Sequence, residues 1–282
     1  MSILQLPQES PRVLLLDWHG TLVNTRAAMY HALDEVLPQL EALGLLDHLV
    51  PPEQSRSSED ARLVAWVRQH RKLHPRIRDD RKISRTDIFE VLFGSDEDAK
   101  SRAHAAFDSA YQTHLESVEP MEADAYEQLS ALRALGLKLG LISNRRRAFL
   151  EAELDGLEGG RWWPLFDTLV CGDDGWRRKP APDMLLQALV NLGDGDSLLE
   201  LEGCWYLGDS TTDVVAASEA GVTPVFYNGA GWDQRWLDTI FPGSMRHPHQ
   251  PKAVVASLAA LQALVRQVLA QGLRVSRAQQ PR

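Results

Sequence analysis

The sequence is poor in cysteine, with only Cys171 and Cys204 among 282 residues. That excludes a disulfide scaffold, and both thiols stand in or beside apolar runs, as expected of buried, reduced cysteines. Excess basic charge is also missing. The formal net charge is −9, which argues against broad binding to nucleic acid or to an acidic membrane surface, since both need a basic face. No apolar run approaches the ~18 residues of a membrane span. Met1 to Pro11 has no basic leader followed by an apolar stretch, so no secretory signal is expected and the cytoplasm is the expected compartment. Fixed repeats and low-complexity tracts are lacking too. What remains is the composition of a globular protein, 44% apolar and 24% charged. The length fits one domain with an insertion, or two domains sharing a seam.

Five short apolar runs read as buried strands: Val13–Asp17, Lys138–Ser143, Thr168–Cys171, Cys204–Gly208 and Thr223–Tyr227. They are nearly continuous rather than alternating, as in a parallel sheet covered on both faces. Helical patterns lie between the later ones. Ala123–Leu135 ends at Gly136, Pro182–Leu192 opens on proline and ends at Gly193, and Thr211–Ala220 ends at Gly221. Strand and helix alternating in this way predict an α/β fold with a doubly wound, Rossmann-like parallel sheet. The alternation breaks after the first strand. Arg26–Leu43, Pro52–His70, a short helix opened by the capping-box pattern Ser84-x-x-Asp87, and Ser95–Glu116 all read as helix. An all-helical domain over residues 25–117 is therefore expected to be inserted into a core made of residues 1–24 and 118–282. Loops that follow strand ends surround the ligand crevice of such a sheet, so an insertion there could act as a lid. Lys252 to Gln271 reads as a final helix, with a frayed polar end over Val275–Arg282.

Four places carry chemistry. The first strand ends in Asp17-Trp18-His19-Gly20-Thr21-Leu22, where a carboxylate at a strand tip is well placed for reaction and Gly20 permits a sharp turn. The second strand ends in Ser143-Asn144, a hydroxyl and an amide that can both donate to a phosphoryl oxygen, although Ser-Asn is also a common helix start. Arg178-Lys179-Pro180-Ala181-Pro182-Asp183 holds a lysine at a helix entrance, where its charge would offset repulsion between a carboxylate and an anionic phosphate. Gly208-Asp209-Ser210-Thr211-Thr212-Asp213 places two carboxylates across a strand-to-helix turn. Magnesium prefers one or two carboxylates together with waters and phosphate oxygens. An N-cap aspartate with a first-turn acid would explain either residue singly, but not the whole series.

In order and spacing these four motifs resemble the haloacid dehalogenase superfamily, in its phosphatase branch with a helical cap after the first strand, like phosphoglycolate phosphatases. The resemblance implies a Mg²⁺-dependent phosphomonoester hydrolase that forms an aspartyl phosphate at Asp17. It further implies that Ser143, Lys179, Asn144 and the backbone near Trp18 bind the phosphoryl group. Asp17, Asp209 and the backbone carbonyl of His19 would hold the metal, with Asp213 in support. A small phosphorylated metabolite is the implied partner, acted on by a monomer or homodimer without nucleic acid or membrane.

One position departs from the pattern. The family's phosphatases carry a second aspartate two residues after the nucleophile, which protonates the leaving group and then activates water. Here that position is His19. Three readings follow: the imidazole does this work itself, the enzyme is restricted to good leaving groups, or catalysis is lost and a phosphorylated ligand is merely bound. Phosphonoacetaldehyde hydrolases and haloacid dehalogenases also lack the second aspartate. The former need a cap lysine, and Lys72, Lys82 and Lys100 match no such context; the latter lack the metal motif at Asp209. A phosphotransferase, such as a sugar-phosphate mutase, would have to shield the aspartyl phosphate from water.

The insertion also carries eight Lys/Arg against two acids from Arg68 to Arg85. That run is either a solvated surface or a substrate contact. Of Arg145, Arg146 and Arg147, at most some can reach the crevice. His247-Pro248-His249 reads as a loop rather than a metal pair. Trp18 is expected to pack behind the site, and Trp162, Trp163, Trp232 and Trp236 to cover core edges.

Overall fold

The computed structural model of the protein describes residues 9–75, 85–193 and 201–278. Its strands are β1 (Val13–Asp17), β2 (Val23–Asn24), β3 (Glu119–Pro120), β4 (Lys138–Ser143), β5 (Thr168–Cys171), β6 (Cys204–Gly208), β7 (Thr223–Tyr227) and β8 (Ala253–Val255). Its helices are α1 (Arg26–Val36), α2 (Ser58–His70), α3 (Arg85–Phe93), α4 (Glu97–Gln112), α5 (Ala125–Ala134), α6 (Arg147–Gly156), α7 (Asp183–Leu192), α8 (Thr211–Glu219), α9 (Gln234–Ile240) and α10 (Leu258–Ala278). Contacts divide the chain into two compact units, one of Met1–Asn24 with Glu119–Arg282, the other of Thr25–Val118.

The first unit is built on a six-stranded parallel sheet in the order β5-β4-β1-β6-β7-β8. The chain winds outward from β1 through β4 to β5, then crosses to the other side of β1 and continues through β6, β7 and β8. The sheet is therefore doubly wound, and its switch point lies beside β1. Every residue of β1 is buried. Val13 and Leu15 join Ile142, Val170, Tyr206 and the inner faces of α7 and α8 in one hydrophobic cluster. This explains why the central strands read as continuous apolar runs: both faces of the sheet are covered. Cys171 and Cys204 are buried and outside any disulfide. Among the described residues no helix is long and apolar enough to cross a membrane.

All five expected strands form, and the short strands β2, β3 and β8 are additions. β2 and β3 pair antiparallel where the chain leaves and re-enters the first unit. β8 corrects the expected start of the last helix. Ala253-Val254-Val255 pairs with β7, and the helix begins only after Ser257, whose side chain accepts from Ala260 N at 3.0 Å. The same helix runs to Ala278, through part of the segment expected to fray.

Every regular element among the described residues of the second unit is a helix. Two expected helices are shorter than their patterns. Pro38 turns the end of α1 into a 3-10 segment, Leu37–Gln39, because proline has no N–H for the next helical bond. Pro52–Gln54 forms a separate 3-10 turn, and α2 starts behind Ser57, which caps Asp60 N at 3.1 Å. Helix α4 likewise begins behind the Asp96 cap rather than at Ser95. Residues 76–84, with half of the basic residues of that run and Ser84 of the capping box, lie outside the described residues.

Candidate active site

Three neighbouring strand ends bring the motif residues together. Asp17 closes β1, Ser143 closes β4, and Asp209 follows the last residue of β6. Parallel pairing in register is the cause: Asp17 lies opposite Ile142, and Leu16 opposite Leu207. Tips of parallel strands at a switch point are where α/β sheets hold ligands.

Lys179 reaches this point from the segment before α7. Its ammonium donates to Asp17 Oδ1 at 2.6 Å, to Asp213 Oδ1 at 2.8 Å and to the Tyr206 hydroxyl at 2.7 Å. All three of its protons thus have acceptors. Burial alone would lower the Lys179 pKa, but Asp17 and Asp213 outweigh it and hold the group charged. Asn144 fixes the lysine's main chain from both ends of its amide, donating to Lys179 O and accepting from Lys179 N, each at 2.9 Å. Its side chain therefore positions the lysine.

Asp213 is fully engaged. Oδ1 also accepts from the Tyr206 hydroxyl at 2.9 Å, and Oδ2 accepts from Ser210 N and Oγ at 3.1 and 2.6 Å. Glycine at 208 is required for this packing, because a Cβ there would meet Asp213 Cγ at 2.3 Å. Gly20 plays the matching part beneath Asp209: it adopts φ 84°, and an added Cβ would lie 2.5 Å from Asp209 Oδ2.

Asp17, Asp209 and Asp213 each present a carboxylate oxygen within 4.8 Å of the others, the one such acidic cluster among the described residues. Asp17 and Asp213 share the single ammonium of Lys179, and Asp209 brings a third carboxylate to the same cluster. The crowding shows at Asp17. Burial, followed by the charges of Asp213 and Asp209, pushes its carboxyl up to about 7 against the opposing pull of Lys179. An all-oxygen donor set of carboxylates fits a hard divalent cation such as Mg²⁺.

The His19 imidazole sits beside this cluster. Nδ1 lies 3.4 Å from Ser143 Oγ, and Nε2 lies 2.9 Å from Glu153 Oε2. Burial lowers the His19 pKa, and Glu153 opposes the shift. The same Glu153 oxygen accepts from Trp18 Nε1 at 2.7 Å. Trp18 is buried edge-on against Trp162 and Phe166, with ring centroids 6.0 and 6.4 Å away, so it packs behind the site as expected. Glu153 and Tyr206 escaped the sequence reading. For Glu153 a signal existed, since it shares a helix face with the buried Phe149, Leu150 and Leu154. Tyr206 lies in an apolar strand and gave none.

Arg145 borders the site, 3.7 Å from Glu153. Other singled-out residues lie elsewhere: Arg147 pairs with Asp174 at 2.7 Å. His249 pairs with Glu219 at 3.0 Å. Trp232 and Trp236 stack on one another with centroids 4.2 Å apart. Within the second unit Lys100 is held by Glu90 and Glu97, each at 2.6 Å.

Comparison with known proteins agrees with this geometry. The family profile for haloacid dehalogenase-like hydrolases matches residues 11–221. Phosphoglycolate phosphatase of Escherichia coli (strain K12) is 27% identical over 225 residues, which is 77% of this chain and 81% of that protein. A structure from Lactobacillus delbrueckii subsp. bulgaricus, provisionally called a phosphoglycolate phosphatase, superposes with a TM-score of 0.60 at 19% identity, covering 91% of this chain and 98% of that one. The HAD-hydrolase YfnB of Bacillus subtilis, solved with magnesium bound, gives a TM-score of 0.57 at 15% identity over 91% of this chain and 99% of that one. The two structures share the fold with this protein. With the profile spanning most of its length, the chain belongs to the haloacid dehalogenase-like hydrolases, in their phosphatase branch.

Proposed function

We propose that the protein is a Mg²⁺-dependent phosphomonoester hydrolase that acts on a small phosphorylated metabolite through an aspartyl phosphate at Asp17. One observation carries this reading: a buried carboxylate at a strand tip, paired with Lys179 and clustered with two further carboxylates. In the first step a carboxylate oxygen of Asp17 attacks phosphorus, and the bond from phosphorus to the leaving oxygen breaks with its electron pair on that oxygen. Lys179, Ser143 and the main-chain amides near Trp18 and His19 serve the remaining phosphoryl oxygens. In its protonated form His19 gives a proton to the leaving oxygen and becomes neutral. It then takes one from the water that attacks the aspartyl phosphate, which frees inorganic phosphate and restores Asp17.

Asp17, Asp209 and the backbone carbonyl of His19 would hold the metal. Asp213 would act through water, because both its oxygens already accept hydrogen bonds. Bound there, Mg²⁺ would supply the positive charge that offsets the carboxylates and the developing phosphoryl charge. The inserted helical unit, residues 25–117 by the sequence reading, is assigned to substrate selection.

The test is a screen of metabolite phosphates with Mg²⁺ on the purified protein, beside p-nitrophenyl phosphate and acetyl phosphate. Because its curated relatives are named phosphoglycolate phosphatase, 2-phosphoglycolate is the first substrate to try. Turnover of at least one metabolite phosphate, lost on chelating the metal, is the expected result. No turnover of any phosphate, activated or not, would leave a ligand-binding protein in place of an enzyme.

A further inference from the structure

Glu153 is a buried acid on the apolar face of α6, with a side chain that has no solvent exposure. A carboxylate in that position is costly unless it is hydrogen-bonded. Its partners are specific. Oε2 receives the indole N–H of Trp18 at 2.7 Å and faces His19 Nε2 at 2.9 Å, while Oε1 lies 3.7 Å from the Arg145 guanidinium. Indole nitrogen can only donate, and an ionised carboxylate can only accept. With Glu153 ionised, the proton between it and His19 sits on Nε2. That leaves the Nδ1 lone pair of a neutral ring on the side of Ser143 Oγ, 3.4 Å away.

We propose that Glu153 is a positioning residue that holds His19 as the Nε2–H tautomer and presents Nδ1 to the phosphoryl site as the working nitrogen. The chain of support is rigid. Trp162 and Phe166 fix Trp18 edge-on, Trp18 fixes the carboxylate, and the carboxylate fixes the imidazole. A histidine bearing a proton on Nδ1 could not accept one from water there, so the tautomer decides whether the second half of the reaction proceeds. The inference rests on the hydrolase reading above, and it explains how a histidine can work where relatives of this family carry aspartate.

Two measurements test it, and they separate its failure from that of the hydrolase reading. The first needs neither metal nor turnover: nitrogen-15 NMR of the histidine-labelled wild type at pH 8, with the His19 signals identified by their loss in His19→Asn. A proton on Nε2 and a bare Nδ1 are expected, and a proton on Nδ1 overturns the proposal. The second is rapid-mixing kinetics of Glu153→Gln with p-nitrophenyl phosphate and Mg²⁺. A glutamine amide can donate to Nε2 and reverse the tautomer. Nitrophenolate leaves without a proton, so the burst of about one equivalent should form as fast as in wild type, while the following steady-state rate falls on the order of 10²-fold. A purely structural role would slow burst and steady state together. That outcome, or a steady-state rate equal to wild type, overturns the proposal. Should the variant not fold, the wild-type NMR result still decides. Absence of any turnover by the wild type would count against the hydrolase reading alone.

Discussion

His19 Nε2 lies 2.9 Å from Oε2 of Glu153, a carboxylate with no exposure to solvent. This pair makes the family's usual residue unwelcome at position 19. His19→Asp would restore the second aspartate of the motif but remove a donor from Glu153 and add a second negative charge nearby. We expect a loss of about 2 kcal/mol, the typical cost of leaving a buried acceptor unpaired. His19→Asp/Glu153→Gln should recover most of it, because the amide can donate to the new carboxylate. Denaturant unfolding of the four proteins in the cycle measures the coupling. A His19→Asp protein as stable as wild type would contradict the expectation.

Lys179 compensates two buried carboxylates at once, so Lys179→Met should be strongly destabilising, by roughly 3–5 kcal/mol near pH 8. The loss should shrink as the pH falls. Burial pushes the folded Asp17 carboxyl up to about 7 from its ordinary value of 3.8. The metal-free folded state thus binds a proton that the unfolded chain has released across that window, and its stability falls as the pH rises through it. Removing the lysine raises the Asp17 value further and deepens the slope. Unfolding of variant and wild type at pH 5 and pH 8 checks the sign, and a pH-independent difference would be wrong for this site.

Magnesium binding should show the same proton in reverse. The metal must displace the proton from Asp17, so affinity rises with pH up to about 7 and levels off above it. Between pH 6 and pH 8 the dissociation constant should fall about tenfold by calorimetry, as expected for one displaced proton. Asp209→Asn should abolish the binding at both pH values.

Gly20 gives a structural prediction. At φ 84° an alanine is strained, and its methyl group would lie 2.5 Å from Asp209 Oδ2. Gly20→Ala should cost about 1–3 kcal/mol of stability and weaken magnesium binding, because Asp209 must move aside. Calorimetry and unfolding on the same preparation report both effects.

The sheet was legible in the sequence because its central strands are buried on both faces, and continuous apolar runs such as Val13–Asp17 betray that directly. β8 was not, since a three-residue strand of Ala-Val-Val cannot be told from the start of the helix behind it. The residues gathered at the strand tips were legible for a related reason: Asp17, Ser143 and Asp209 break apolar runs at the ends where parallel sheets hold ligands. Their supporting residues were harder to see. Glu153 stands 134 residues from His19, and only its place on an apolar helix face hints at a buried partner. The Tyr206 hydroxyl joins Lys179 to Asp213 from inside a strand of otherwise apolar appearance. Asn144 was read as a phosphate donor, but its amide is folded back on Lys179, a pairing that depends on the approach of two loops distant in sequence.

Attack by Asp17 on phosphorus is tested most directly by catching the covalent adduct. The protein is mixed with acetyl phosphate or p-nitrophenyl phosphate and Mg²⁺, quenched in acid during turnover, and digested for peptide mass mapping. The expected result is one phosphoryl group on the peptide holding Asp17, absent without metal and absent in Asp17→Asn, which should also show no turnover. A phosphoryl group on His19 or elsewhere, or an Asp17→Asn protein that turns over at the wild-type rate, would contradict it.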